Sequence, residues 1–403
     1  MSISALNFAA PIRRRIEVAP RDFARRDHAI SLFYTGQFVE AVTATLGYLL
    51  PTTALPDLER EALCLGQGSA RVHVEIQGNE LLIRAPLVTL NPDAQVVAAM
   101  RFFLTRLSAT GQLFQPRLRE QTVVLEFRER LALLHPLKLL EVMQRLPMEA
   151  DNNDAWLVQQ FGVAMAERQP LQALTDAEFD TAWEIWSAHW TAVEELMTES
   201  RRRRQISVLD SLGSFTINHL VYCLPLFGPV RARMNECADE FTNRDETATK
   251  RDNELAKCVK EMRQINPQAL RACLGHATYA INPLHEGTPS LLTSILGGGS
   301  RMQKTGEHRA AGRGLEATLE LVADYLYLLA HYSWPNEIDA ALRAGLASAS
   351  GKPWREAADL LWNHANATAK TFGSHGEQDK EDASDSDDLQ ADFDTHEHPH
   401  HEH

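Results

Sequence analysis

Between Arg71 and Ala85 the chain alternates too regularly to suit anything except a β-hairpin. Val72, Val74 and Ile76 fall on one face, and Arg71, His73, Glu75 and Gln77 on the other. That is the period-two pattern of a half-buried strand. Gly78-Asn79 follows as a two-residue turn, with the glycine suited to the positive φ of a type II′ turn. The run Glu80-Leu81-Leu82-Ile83-Arg84-Ala85 then returns. In this register Ile76 faces Leu81, Val74 faces Ile83 and Val72 faces Ala85, so the apolar face stays continuous.

The flanking sequence supplies helices to cover that face. Residues 1–20 read as a flexible basic leader, and the acids at Glu17, Asp22 and Asp27 argue against a transit peptide. Asp22 to Leu50 reads as two helices divided at Gly36. Asn91-Pro92-Asp93 is a helix start, with Asn as cap and Pro in the first turn. After it Val96, Val97, Met100, Phe103, Leu104 and Leu107 form one apolar stripe ended by Gly111. Leu113–Arg119 and Gln121–Arg128 make a second hairpin, with Val123, Leu125 and Phe127 alternating with Val124, Glu126 and Arg128. His135-Pro136 opens a helix to Leu146, Asp151–Asp154 punctuates it, and Ala155–Glu167 is a last helical piece. Residues 21–168 are therefore expected to form an α+β domain, an antiparallel sheet with helices on one face.

From Gln169 the period is helical throughout. Thr175-Asp176-Ala177-Glu178 has capping-box spacing and starts a helix carrying Trp183, Trp186 and Trp190. Further helices are expected at Ile206–Leu224, Val230–Asn243, Glu254–Gln264, Gln268–Ala280, Gly314–His331, Glu337–Leu346 and Trp354–Ala369. This makes residues 169–373 an all-α domain, with Gly297–Gly314 a mobile loop inside it. Residues 374–403 are expected to be a disordered tail, acidic and His-rich. The net charge of −14 is concentrated there: the tail holds eleven carboxylates against one lysine, which leaves a body of only about −4. Such a body has no electrostatic footprint for nucleic acid. No apolar run is long enough for a membrane span. Five scattered cysteines without a CxxC fit reduced thiols in a cytoplasm.

The order helix, hairpin, helix, hairpin, helix over Asp22–Glu167, with Asn91-Pro92-Asp93 ahead of the Val96–Leu107 helix, resembles type III secretion chaperones and the related YbjN-type proteins. The resemblance implies a bacterial, non-enzymatic protein-binding module, chaperone- or adaptor-like. Leu82 and Val124 share the polar face of the sheet with His73 and Arg84, and together they are the candidate partner-binding strip. A partner could also add a strand at the sheet edge.

Three other readings stay open. Gly297-Gly298-Gly299-Ser300 with Arg301, Lys304 and His308 could cradle an anion, in an enzyme of unrecognised class, although P-loop spacing is missing. His396, His398, His400, His401 and His403 could hold Zn²⁺ or Ni²⁺ adaptively, as in a metal-handling or regulatory protein. His219 and Cys223, four apart on a helix, could also be ligands, joined by Cys237, Cys258, Cys273 and His276. The plainer reading there is a buried thiol beside a hydrogen-bonded imidazole. The tryptophan stripe reads as core, and Arg201–Arg204 as charge complementing a helix end.

Overall fold

A computed structural model of the chain describes residues 5–16, 22–91, 95–106, 112–203, 208–243 and 245–373. The chain divides into two compact units, Ala9–His285 and Met1–Phe8 with Glu286–His403. The border expected between residues 168 and 169 falls inside the first of these. No described helix is long and apolar enough to cross a membrane.

The Ala9–His285 unit is built on an antiparallel sheet. Its strands are β1 (Leu63–Gly68), β2 (Ala70–Gln77), β3 (Glu80–Thr89), β4 (Gln115–Arg119), β5 (Thr122–Arg130), β6 (Ala164–Met165) and β7 (Thr278–Tyr279). They lie in the order β4-β5-β3-β2-β1-β7, with β6 paired to β3. The first hairpin has the expected register, Ile76 opposite Leu81 and Val74 opposite Ile83. Gly78 turns it at φ 64. Pairing between β2 and β3 stops at His73 and Arg84, so Val72 does not reach Ala85; it lies opposite Leu65 of β1 instead. Strand β1 escaped the sequence reading because Leu-Cys-Leu-Gly-Gln-Gly lacks clear alternation. Its Gln67 is fully buried and clasps Ile281 through both amide atoms, at 3.0 and 2.9 Å.

Helices α1 (Phe23–Tyr34) and α2 (Phe38–Leu49), α3 (Val96–Arg106) and α4 (Pro136–Phe161) accompany the sheet. One core joins Val42 and Leu46 of α2, Phe103 of α3 and Leu139, Val142, Met143 and Leu146 of α4. It reaches the sheet through Val72, Val74, Leu81, Ile83, Leu125 and Phe127. Helix α4 runs unbroken through Pro147 and Asp151 and ends at the left-handed Gly162. The expected break at Asp151–Asp154 does not occur. The Asp151 carboxylate instead faces the sheet, accepting from the Ser69 amide at 2.7 Å and hydroxyl at 3.1 Å. The closest approach is at Gly68 (φ 59), where a Cβ would lie 1.9 Å from Asp151 Oδ1. Of the α3 stripe, Phe103 is buried while Val97 points outward. The helix is described from Val96, and Pro92, Asp93 and Gly111 lie outside the described residues.

The helical part of the same unit holds α5 (Asp176–Arg203), α6 (Leu209–Cys223), α7 (Gly228–Thr242), α8 (Ala248–Met262) and the short α9 (Pro267–Arg271). The capping box forms: Thr175 N donates to Glu178 at 2.8 Å, and Glu178 N to Thr175 Oγ1 at 3.2 Å. Trp186 and Trp190 are core, packed edge to face at 5.5 Å. The helix expected at Gln268–Ala280 stops at Arg271, because the chain turns back to pair Leu226 with Leu274 and to add β7 to the sheet. Part of the expected flexible leader is anchored here. The amides of Ile12 and Arg13 both donate to the Cys223 carbonyl, at 2.8 and 3.0 Å.

The other unit contains α10 (Pro289–Leu296), α11 (Ser300–Ala310), α12 (Gly314–His331), α13 (Asn336–Ala349) and α14 (Trp354–Gly373). Helix α12 is buried along almost its whole length. The Gly297–Gly314 stretch is not a loop but mostly α11. Its apolar signal is sparse, with only Met302, Thr305 and His308 buried. Helix α10 carried a legible start, Thr288 capping Leu291 N at 3.2 Å with Pro289 in the first turn.

Candidate functional site

The surface strip expected at Leu82 and Val124 is closed. Leu82 is 2% exposed and Val124 5%. Leu82 lies between Glu75 and Arg128 on the neighbouring strands. Glu75 pairs with Arg84, and Arg128 with Glu80 at 3.4 Å. Long charged side chains whose stems lie over an apolar residue shield it while keeping their heads in water. His73 is engaged too, its Nε2 2.8 Å from Glu167. Beside it the stretch after α4 is stitched onto this end of the sheet, Ala166 N donating to Leu87 O and Gln169 N to Ser69 O. The β4 edge is a poor template for strand addition, since Pro116 has no N–H to offer there.

The basic residues expected to cradle an anion are all answered by acids. Glu320 and Asp324 lie four apart on α12 and are buried. Arg301 pairs with Asp324, and Lys304 lies 2.9 Å from Glu320. Glu320 also accepts from Thr305 Oγ1 at 2.8 Å. Arg313 Nε donates to His308 Nδ1 at 2.8 Å, which leaves His308 Nε2–H to face Glu320 at 3.4 Å. These residues form a helix–helix ionic stripe. Burial pushes the Asp324 carboxyl up to about 7, against the pull of Arg301 and with help from Glu320.

His219 is paired with another histidine rather than with a cysteine cluster. His189 Nε2 donates to the Thr216 carbonyl at 2.9 Å, so its Nδ1 accepts from His219 Nδ1–H, also at 2.9 Å. Burial holds both imidazoles neutral, His219 down to about 4 and His189 well below its ordinary value. Cys237 and Cys258 are free thiols that share a hydrogen bond, which lowers the first thiol and raises the second. His276 Nε2 turns to Glu178 at 3.3 Å. Among the described residues no group of three or more His, Cys, Asp or Glu side chains could hold a metal. The histidines His396–His403 lie outside the described residues. Of the arginine run, Arg202 and Arg203 both clamp Glu199, and Arg202 chiefly holds that carboxyl down at about 2.

One surface that the sequence reading missed does gather exposed apolar groups. His135 caps α4, its Nδ1 accepting from Leu137 N at 3.3 Å. Its ring meets Phe33 edge-on at 5.2 Å and Tyr34 at 5.9 Å, at the end of α1. Leu133 and Leu137 flank it two residues away on either side. Tyr34 is 75% exposed, Leu133 63% and Leu137 43%. A pattern of periodicity could not find this patch, because its members come from a helix end, a short 3₁₀ turn and a helix start. Comparison with known protein families and with curated proteins finds no match for this chain.

Proposed function

We propose that this chain is a protein-binding module, adaptor- or chaperone-like, and that its α+β part docks an apolar partner segment on the Tyr34–His135 surface. The observation that carries the reading is the contact of exposed Tyr34 with the His135 imidazole, which has exposed Leu133 and Leu137 two residues to either side of it in the chain. These are three of the large apolar side chains left most open to water among the described residues. Scattered exposed apolar residues need no explanation, but an exposed tyrosine on an imidazole that has an exposed leucine to either side of it in the chain fits an interaction site. Tyrosine is favoured in such places because it offers a large rigid face and a polar tip. The resemblance of the element order to type III secretion chaperones and YbjN-type proteins supports the same reading.

The test is to change Tyr34 and Leu133 together to Ser and compare cross-linked partner recovery from native lysate. Exposed positions carry little stability, so the thermal midpoint should move by no more than a degree or two. Loss of the recovered partner at unchanged stability is the expected result. Unchanged recovery by the double variant would end the proposal for this surface.

A further inference from the structure

A cavity of about 380 Å³ opens in the Glu286–His403 unit, where the end of α11 and the start of α12 meet the start of α14. That volume lies in the range of small-molecule sites, roughly 300–1,000 Å³. Gly306, Gly312 and Gly314 line it with backbone, and Arg309, Arg355 and Asp359 line it with charge. Short contacts hold these groups around one place. A Cβ on Gly314 would stand 2.8 Å from the Arg355 amide nitrogen, so α12 and α14 start against each other. Thr318 Oγ1 donates to the Trp354 carbonyl at 2.8 Å and ties the two helices there. Arg355 and Asp359 are one turn apart on the same face of α14. Asp359 accepts from Arg309 Nε at 2.5 Å, and the Arg309 guanidinium lies 5.4 Å over the Trp362 ring.

The charges of this wall do not cancel. Its carboxylate, Asp359, is answered by Arg309 through Nε alone. The Nη donors of Arg309 and the whole Arg355 fork have no acceptor among the described residues. Glu356, beside Arg355 on α14, is taken by Lys352 at 2.8 Å. Two guanidinium groups therefore face the cavity against one carboxylate. Arg301, Lys304 and His308 differ in this respect, because Asp324 and Glu320 occupy them.

A planar arginine fork matches the oxygens of carboxylate and phosphoryl groups. Here donors reach the cavity from α11 and from α14, and the backbone of Gly314 and Arg355 adds first-turn amides that have no intrahelical partner. A tetrahedral phosphoryl group offers three oxygens to donors from several directions, whereas a planar carboxylate offers two. We infer that this cavity binds a small phosphate monoester, with Arg355 and the Nη side of Arg309 holding the phosphoryl oxygens. The site lies in a different unit from the Tyr34–His135 surface and does not depend on it.

Isothermal titration of the full chain with inorganic phosphate, glycerol phosphate and acetate at constant ionic strength tests the site. Phosphate should bind the wild type and raise its thermal midpoint. Arg355→Gln should weaken binding by at least about tenfold, the equivalent of one good charge-assisted contact. It should also fold, since Arg355 is exposed. Arg343→Gln is the control, because it removes the same charge from α13, where Asp339 holds Arg343 at 2.7 Å. It should leave binding unchanged. A titration with no binding up to about 10 mM overturns the inference. Equal affinity in wild type and Arg355→Gln does the same, and so does an equal loss in Arg343→Gln, which would mean attraction by net charge. Acetate binding more tightly than phosphate overturns the phosphoryl assignment. Glycerol phosphate should bind at least as tightly as phosphate, because the cavity has room beside the anion; its exclusion overturns the monoester. If Arg355→Gln fails to fold, Arg355→Lys and Arg309→Lys decide, and wild-type affinity in both sinks the site.

Discussion

Replacing Asp324 with Asn removes one titration from the α11–α12 contact and should flatten the pH dependence of that contact. The Asp324 side chain is 2% exposed. Burial, assisted by Glu320 and opposed by Arg301, raises its carboxyl from 3.8 to about 7. The folded value lies above the unfolded one, so the native state keeps a proton that the unfolded chain has released. The stability linked to this group is therefore full below about pH 4 and is lost as the pH rises through about 7. At about 1.4 kcal/mol per pH unit the window is worth about 4 kcal/mol, of which about 2–3 kcal/mol falls between pH 5 and pH 8. Hydrogen exchange of α12 peptides, read by mass spectrometry in both proteins across that range, measures it. The variant-to-wild-type difference cancels the intrinsic chemistry of exchange. Wild-type protection should fall relative to Asp324→Asn by about 2–3 kcal/mol on going to pH 8. Parallel profiles would refute the reasoning and mean that Arg301 keeps the carboxylate ionised throughout.

Leu82→Ser should cost about 2–4 kcal/mol in urea unfolding while leaving partner recovery on the remaining folded protein intact, since the residue is packed and not on offer. A neutral effect on stability would restore it as a surface group. The His189–His219 pair gives the opposite pH sign from Asp324. Both folded values are depressed, so stability is lost as the pH falls from about 6.5 toward His219's value of about 4. His219→Phe should lessen that acid sensitivity, and an unchanged acid midpoint would count against the buried neutral pair. Trypsin should be slow at Arg301 and Lys304, because a helical backbone must open before a protease can engage it. First cleavage there would mean that α11 frays. Zn²⁺ titration of the full chain and of a chain ending at Gly373 should place any metal binding in residues 374–403, and equal binding by both would move it into the body.

The readings that succeeded rest on local rules. The register of the first hairpin, the Thr175–Glu178 box and the limits of α12 follow from alternation, capping chemistry and a continuous apolar run. Each is settled within about twenty residues of chain. The tertiary structure decided the rest. Leu82 looks like a surface residue in its strand, and only the assembled sheet shows that it is buried between Glu75 and Arg128. Arg301, Lys304 and His308 look like an anion cradle beside a glycine run. The acids that answer them, Glu320 and Asp324, sit on a helix that also had to be buried for its own apolar residues. Helix α4 passes its acidic Asn-rich stretch because Asp151 finds the Ser69 amide on the sheet. Tyr34 and His135 meet, although about one hundred residues separate their positions in the chain. Alternation and capping act along a few covalent neighbours, whereas charge pairing and exposure depend on which distant segment is packed alongside. The sequence by itself determined the strands and helices that carry a local signal; packing decided β1, the continuity of α4, the helix at Ser300–Ala310 and which side chains remain open for chemistry.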